Sequence, residues 1–424
     1  MYWSNLLHIY QPPNQKKEIL ARVVEESYAR ILDILEKRPK IKINLNICAS
    51  LTEQLAKSGF QKVIKRIKNL AERGQIELVG SAKYHPILPL LPKSEVIRQI
   101  KLNENSNQKY FGRVWQKKGF FLPELAYDKK TARIIEQLGY QWIILDEIAY
   151  GQRPSATNYK SNTNIRITNS KLKFDRLYQI QGLKLKVFFR NRVISNLFFT
   201  GLAKNFSNFM KFIKDDPRLE TGYLITCLDG ENLGHHCPGA EKLWAEILDS
   251  GQIQTLFFSE LDFKLKNNIE EIDPLPSSWA SSKKELNQGI PYALWFHPKN
   301  KIHQLQWQLT NLAIKTINRA KNDLNYRMAR QNLDQALFSC QYWWASGQPW
   351  WDRKMIERGA SNFIESLKIL KKIEPKILKQ AENLQQKINQ LAREWEETDR
   401  VDQIRRDYLS TQNQTQWFGG KQIS

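Results

Sequence analysis

Asp229, Glu231, His235 and His236 fall within eight residues of one another, directly after the apolar run Tyr223-Leu-Ile-Thr-Cys-Leu, which has strand character. Two carboxyls and two imidazoles where a short buried strand stops could transfer protons, attack an electrophilic carbon or bind a polar ligand. Asp-Gly is also ordinary turn chemistry, so the stretch gains meaning only if complementary groups arrive from elsewhere. Glu124 is the candidate complement. It follows Pro123 at the end of Gly119-Phe-Phe-Leu, and the proline aims the carboxylate rigidly. Glu124 and Asp229 end two different strands and could converge on one cleft. Cleaving a glycosidic bond with retention needs such a pair, roughly 5–5.5 Å apart and in different protonation states.

A metal centre is the rival chemistry. Asp229, His235, His236 and Cys237 offer ligand atoms, but adjacent histidines rarely hold one ion and no HxxxH or HExxH spacing occurs. The expectation is therefore no metal and no cofactor. No GxSxG elbow supports a serine hydrolase, and no GxGxxG or GxxxxGK follows a strand, which argues against dinucleotide and P-loop sites. The six histidines (His8, His85, His235, His236, His297 and His303) each lie in or beside stretches rich in Pro, aromatic or acidic residues.

The elements that must position these groups alternate. Strands are predicted at residues 2–9, 41–47, 75–79, 119–122, 142–145, 187–190, 223–228 and 253–258. Helices are predicted at 18–37, 61–73, 95–111, 129–138, 205–213 and 240–248, with Thr52 and Ser94 read as N-caps. Several strands run into Pro or acidic residues: His8-Ile-Tyr-Gln11-Pro12, Tyr84-His85-Pro86, Pro123-Glu124 and Asp146-Glu147. This β-α rhythm predicts a parallel barrel or a doubly wound sheet. Residues 151–185 break it and read as an inserted hairpin or irregular excursion. After about residue 274 the chain turns helical (303–322, 326–338, 352–371 and 374–398). The aromatic knot Gln341-Tyr-Trp343-Trp344-Ala-Ser-Gly-Gln-Pro-Trp350-Trp351 sits between two of these helices, either as a hydrophobic lock or as a stacking platform for sugar rings.

The chain has 424 residues, enough for a large α/β domain and a smaller one. Its formal charge is +22, yet the basic residues are spread along it and interleaved with acids, without an arginine-rich arm or zinc-finger spacing. Nucleic acid is not expected as a partner. The four cysteines lack a CxxC, no signal-peptide pattern opens the chain and no apolar run reaches eighteen residues, so a cytoplasmic protein without a membrane span is expected.

Taken in order, His8-Ile-Tyr-Gln11-Pro12, Glu77-Leu-Val-Gly80-Ser81 with Tyr84-His85-Pro86, Gly119-Phe-Phe-Leu-Pro123-Glu124 and Asp229-Gly230-Glu231 resemble the ordered regions of glycoside hydrolase family 57. Ser339-Cys-Gln-Tyr-Trp343-Trp344 is similar to its fifth region. Phe120-Phe121 stands where the family often carries Trp. The resemblance covers residues 1–360 and implies an α/β fold: an incomplete (β/α)7 TIM-like barrel followed by a C-terminal helical bundle. It implies a retaining mechanism on α-glucans without a metal, with Glu124 as nucleophile and Asp229 as general acid/base. His8, Gln11, Glu77, His85, Glu231, His235, His236, Trp279, Trp343 and Trp344 would bind substrate around them. The expected division is a catalytic barrel at 1–273, helices at 274–405 that bring aromatic residues to the cleft, and a flexible tail at 406–424. The expected activity is hydrolysis of α-1,4-linked glucans or maltooligosaccharides, with 4-α-glucanotransfer as the alternative. A metal-dependent polysaccharide deacetylase and a catalytically decayed glucan-binding protein are the remaining readings. Oligomeric state is not legible.

Overall fold

The computed structural model describes residues 1–13, 15–150, 171–220 and 222–411. The chain divides into two compact units. The first comprises Met1–Lys83 and Leu88–Trp279; the second comprises Tyr84–Ile87 and the helices from Ala280 onward. The boundary falls at Trp279, not residue 273, because the intervening segment is tied back to the first unit. Tyr127 and Ser277 exchange backbone hydrogen bonds (2.8 and 3.2 Å), and the Trp279 amide donates to the Glu124 carbonyl at 3.2 Å.

Among the described residues the first unit carries ten strands: β1 (Tyr2–Ile9), β2 (Ile43–Ile47), β3 (Ile76–Val79), β4 (Gly119–Phe121), β5 (Trp142–Asp146), β6 (Leu177–Ile180), β7 (Lys186–Arg190), β8 (Tyr223–Asp229), β9 (Gln254–Thr255) and β10 (Ile269–Ile272). Seven of them follow one another in parallel around a barrel. β1 pairs with β2, β2 with β3, β4 with β5, β5 with β7, and β8 closes back onto β1. Two joints are thin. A bridge between Gly80 and Phe120 links β3 to β4, and the Asn191 amide donates to the Ile225 carbonyl where β7 meets β8. β6 runs antiparallel along the edge of β7 at Val187, with β10 beyond it, so β8 reaches β7 only at its end. The barrel is thus an incomplete (β/α)7 closure.

These strands read as near-continuous apolar runs because parallel strands are covered on both faces. β2, β3 and β5 are buried at every position, and β1 at all but its first. The surrounding helices present one apolar stripe each. Helix Gln61–Glu72 buries Val63, Ile64, Ile67 and Leu70 at helical spacing. The Thr52 and Ser94 cap assignments do not hold. The helices begin earlier, after Cys48 and Pro92, which place Thr52 and Ser94 inside Ala49–Lys57 and Lys93–Phe111. The expected strand at 253–258 is only two residues long, and Phe258 opens the helix Phe258–Leu265. Helix Arg192–Thr200 and β10 had no counterpart in the expected elements, whereas β6 falls in the expected excursion and forms an antiparallel hairpin with β7. Residues 151–170 of the expected excursion lie outside the described residues.

Helices Lys301–Arg319, Tyr326–Ala336, Arg353–Lys368, Pro375–Glu397 and Arg400–Thr411 build the second unit. Trp307 stacks on Tyr342 with ring centroids 4.4 Å apart, and His303 Nε2 bonds the Tyr342 carbonyl. The last helix corrects the expected tail. Val401 and Tyr408, two turns apart on one face, are both buried. Residues 412–424 lie outside the described residues. No described helix is long and apolar enough to cross a membrane.

Candidate active site

Strand register builds the site. β1 sits between β2 and β8 with His8 opposite Asn46 on one side and Asp229 on the other, so three polar residues stand abreast at the carboxyl ends of adjacent strands. The Asn46 amide nitrogen donates to the carbonyls of Val79 (2.8 Å) and Gly80 (3.2 Å), which turns its oxygen to His8 Nδ1 at 2.7 Å. Nδ1 is therefore the donor and the imidazole is neutral; burial pushes its pKa down to about 4. The ring stacks on Phe121, centroids 4.2 Å apart.

Glu124 enters from β4. Pro123 starts a single 3-10 turn, and both Glu124 (φ 59°) and Leu125 (φ 48°) take the left-handed conformation. Each costs roughly 1–2 kcal/mol for a residue with a Cβ, so the surrounding contacts must hold the turn in place. Trp279 supplies one such contact, its indole N–H donating to Glu124 Oε2 at 2.8 Å. Arg190, the last residue of β7, lies over the Trp279 ring at 5.5 Å and bonds Asp146 at 2.9 Å. Burial raises the Glu124 carboxyl to about 7 against the opposing bond from Trp279.

Asp229 is raised well above the usual carboxylate range. Burial contributes most, then the charges of Glu231 and Glu124, with Arg190 opposing. Glu124 and Asp229 therefore lie within electrostatic reach of each other. The Glu124 charge thus adds to burial and to Glu231 in holding the proton on Asp229.

Glu231 belongs to the same group. Its Oε1 receives the Tyr10 amide at 3.0 Å, Gln11 Nε2 at 3.3 Å and the Tyr28 hydroxyl. Gln11 thus meets the site through Glu231. His235 turns away to Glu26, and the His236 side chain is exposed; both link to Glu231 only by donating their backbone amides to its carbonyl (3.2 and 2.9 Å). Cys237 faces the Phe199 carbonyl.

Glu77 is not among these residues. It is the second residue of β3, and it binds Ser259 and, at 3.3 Å, Lys118, which directly precedes β4. Its carboxylate therefore serves the amino ends of the strands, which corrects the expectation that it binds substrate. His85, Trp343 and Trp344 belong to the second unit. His85 Nδ1 bonds Ser339 Oγ at 3.0 Å, and the two indoles meet edge to face, centroids 4.8 Å apart. Arg190, Asn46 and Tyr28 are site residues that sequence reasoning missed. Arg190 ends a predicted strand and could have been found by the strand-end rule; Asn46 and Tyr28 carried no signal.

Residues 3–267 match Glycosyl hydrolase family 57, well over half of the chain. The chain belongs to this family. Alpha-amylase 1 of Dictyoglomus thermophilum is 31% identical over 148 residues, 35% of this chain and 21% of that protein. The 4-alpha-glucanotransferase of Thermococcus litoralis is 23% identical over 141 residues, 33% of this chain and 21% of that protein. The matched stretch spans about a fifth of the length of these curated relatives. The crystal structure of a family 57 branching enzyme from Thermococcus kodakaraensis superposes with a TM-score of 0.68 at 16% identity, covering 91% of this chain and 94% of that one. At that identity the likeness concerns the fold: the family's incomplete (β/α)7 barrel and C-terminal helical domain.

Proposed function

We propose that this family 57 chain is a retaining glycoside hydrolase acting on α-1,4-linked glucans, with Glu124 as nucleophile and Asp229 as general acid/base. One observation carries the reading: two buried carboxyls follow different strand ends within electrostatic reach of each other, and the charge of one raises the other's affinity for its proton. Retention needs that asymmetry. Glu124, ionised, attacks the anomeric carbon while Asp229 protonates the departing glycosidic oxygen. The resulting glycosyl ester on Glu124 is then opened by water, whose proton passes to the Asp229 carboxylate. Trp279 orients Glu124 and stabilises its charge, and neutral His8 beside Asp229 offers the sugar a hydrogen-bonding edge without adding charge. No step requires a metal.

Transfer to a sugar hydroxyl is the second reading, since the same ester serves it and one relative is named a 4-alpha-glucanotransferase. Incubation with maltoheptaose and chromatography of the products separates the two. Shorter sugars alone indicate hydrolysis, and a ladder of longer ones indicates transfer. An unchanged substrate contradicts both.

A further inference from the structure

Helix Lys17–Val23 continues into Ala29–Glu36 through one wide turn, Val24–Tyr28, where the Ala29 amide reaches back five residues to the Val24 carbonyl. Such turns cost helix geometry and are frequent at functional sites. Here three consecutive residues of the turn grip the segment that follows Asp229. Glu26 bonds His235, Ser27 Oγ donates to the Gly230 carbonyl at 2.8 Å, and the Tyr28 hydroxyl donates to Glu231 Oε1. The fit leaves no room for side chains. A Cβ on Gly234 (φ +106°) would lie 2.1 Å from the Glu26 carbonyl oxygen, and one on Gly230 would lie 2.5 Å from Ile9.

We propose that Tyr28 is a positioning residue for Asp229: presented by the wide turn, its hydroxyl holds Glu231 as an anion at Asp229's side and so governs the proton that Asp229 delivers. The groups acting on Asp229 are Glu231 in the following turn, Glu124 after β4, Arg190 at the end of β7 and Tyr28 on the helix, with His8 opposite on β1 and Cys227 on β8 itself. Of these, Glu231 is the anion that accepts a side-chain hydroxyl from the wide turn, and the Tyr28 hydroxyl opposes its burial more than its other partners do. Burial favours its neutral form; Tyr28, Tyr10 and Gln11 oppose that. With Tyr28 removed, Glu231 keeps its proton to higher pH and no longer repels the charge on Asp229, so Asp229 ionises more easily.

This inference rests on the proposed role of Asp229, but its test does not need turnover. In protein labelled with 13C at the aspartate carboxyls, Asp229 is identified by the signal lost in Asp229→Asn and titrated by NMR in wild type, Tyr28→Phe, Glu231→Gln and the double variant. The expected result is a midpoint lowered by about one pH unit in Tyr28→Phe. A shift in the same direction is expected in Glu231→Gln, with no further shift when the two are combined. An unmoved midpoint in Tyr28→Phe, or shifts that add, overturns the inference. If Tyr28→Phe does not fold, Glu231→Gln decides alone, and an unmoved midpoint there overturns it. If wild type leaves maltoheptaose untouched while the midpoints move as stated, the proposed function fails and the positioning role stands.

Discussion

Glu124→Gln should abolish turnover and yet stabilise the fold, by an amount that grows with pH. The Glu124 carboxyl rises from an ordinary 4.5 to about 7 because it is buried. Between those values the unfolded chain releases its proton first, so the folded state binds more protons and stability falls as pH rises through that window. The penalty is complete above pH 7. At about 1.4 kcal/mol per pH unit it reaches about 3 kcal/mol at pH 8 and only a few tenths at pH 4. Glutamine keeps the volume and the oxygen that accepts from Trp279, but it has no proton to lose. Removing the Glu124 charge also lowers the Asp229 carboxyl, which adds in the same direction. Urea denaturation followed by tryptophan fluorescence, at pH 4.5 and pH 8, measures the difference. The variant should be within about 1 kcal/mol of wild type at the lower pH and more stable by about 3 kcal/mol at the higher. Equal stabilities at both pH values would refute the reasoning, because Glu124 would then be titrating in the folded protein as it does in water.

Asp229→Ala should lose at least 100-fold in kcat/KM on maltoheptaose, the usual range for a general acid being about 100- to 10,000-fold, while kcat/KM on α-glucosyl fluoride, whose leaving group needs no proton, should stay near wild type, because it reports formation of the ester and not its opening by water; equal losses on both would remove Asp229 from the acid role. The pH profile of kcat/KM should rise through about 7 as Glu124 ionises, and Trp279→Phe should move that acid limb upward by about one unit, since a hydrogen bond to a carboxylate contributes about 1.5–3 kcal/mol. A limb left in place would show that Trp279 does not stabilise the Glu124 charge. Glu77→Gln should cost about 1–2 kcal/mol of stability through its bonds to Ser259 and Lys118, with kcat/KM within about twofold of wild type in steady-state assays; a larger loss would return Glu77 to the substrate site.

Much of the barrel was legible because its strands are short, apolar and stopped by Pro or acidic residues. Glu124 and Asp229 were found by that rule, and Arg190 would have been by applying it once more. Glu77 shows its limit: the motif locates the strand but not the end of it that a side chain serves, and Glu77 precedes the end of β3 by two residues. Thr52 and Ser94 resembled caps by composition alone, whereas Cys48 and Pro92 begin those helices. Helix Arg192–Thr200, Arg-Val-Ile-Ser-Asn-Leu-Phe-Phe-Thr, is largely apolar and buried, so it lacked the polar face that marks a helix in sequence. The wide turn left one trace. The core positions Val23 and Tyr28 are five apart in a run otherwise spaced by three or four, as an extra residue in one turn requires. The partners of Tyr28 and Asn46 are set by tertiary packing, about two hundred residues away in the case of Tyr28 and Glu231 (a separation of 203).

The central claim is that Glu124 becomes covalently glycosylated. Incubation with 5-fluoro-α-glucosyl fluoride, which forms the ester readily and releases it slowly, followed by peptic digestion and mass spectrometry, reads this directly. The account predicts one added 5-fluoroglucosyl group on the peptide containing Pro123-Glu124-Leu125 in wild type, and none in Glu124→Gln. A label on any other carboxylate, or a fully active enzyme that never carries one, would contradict it.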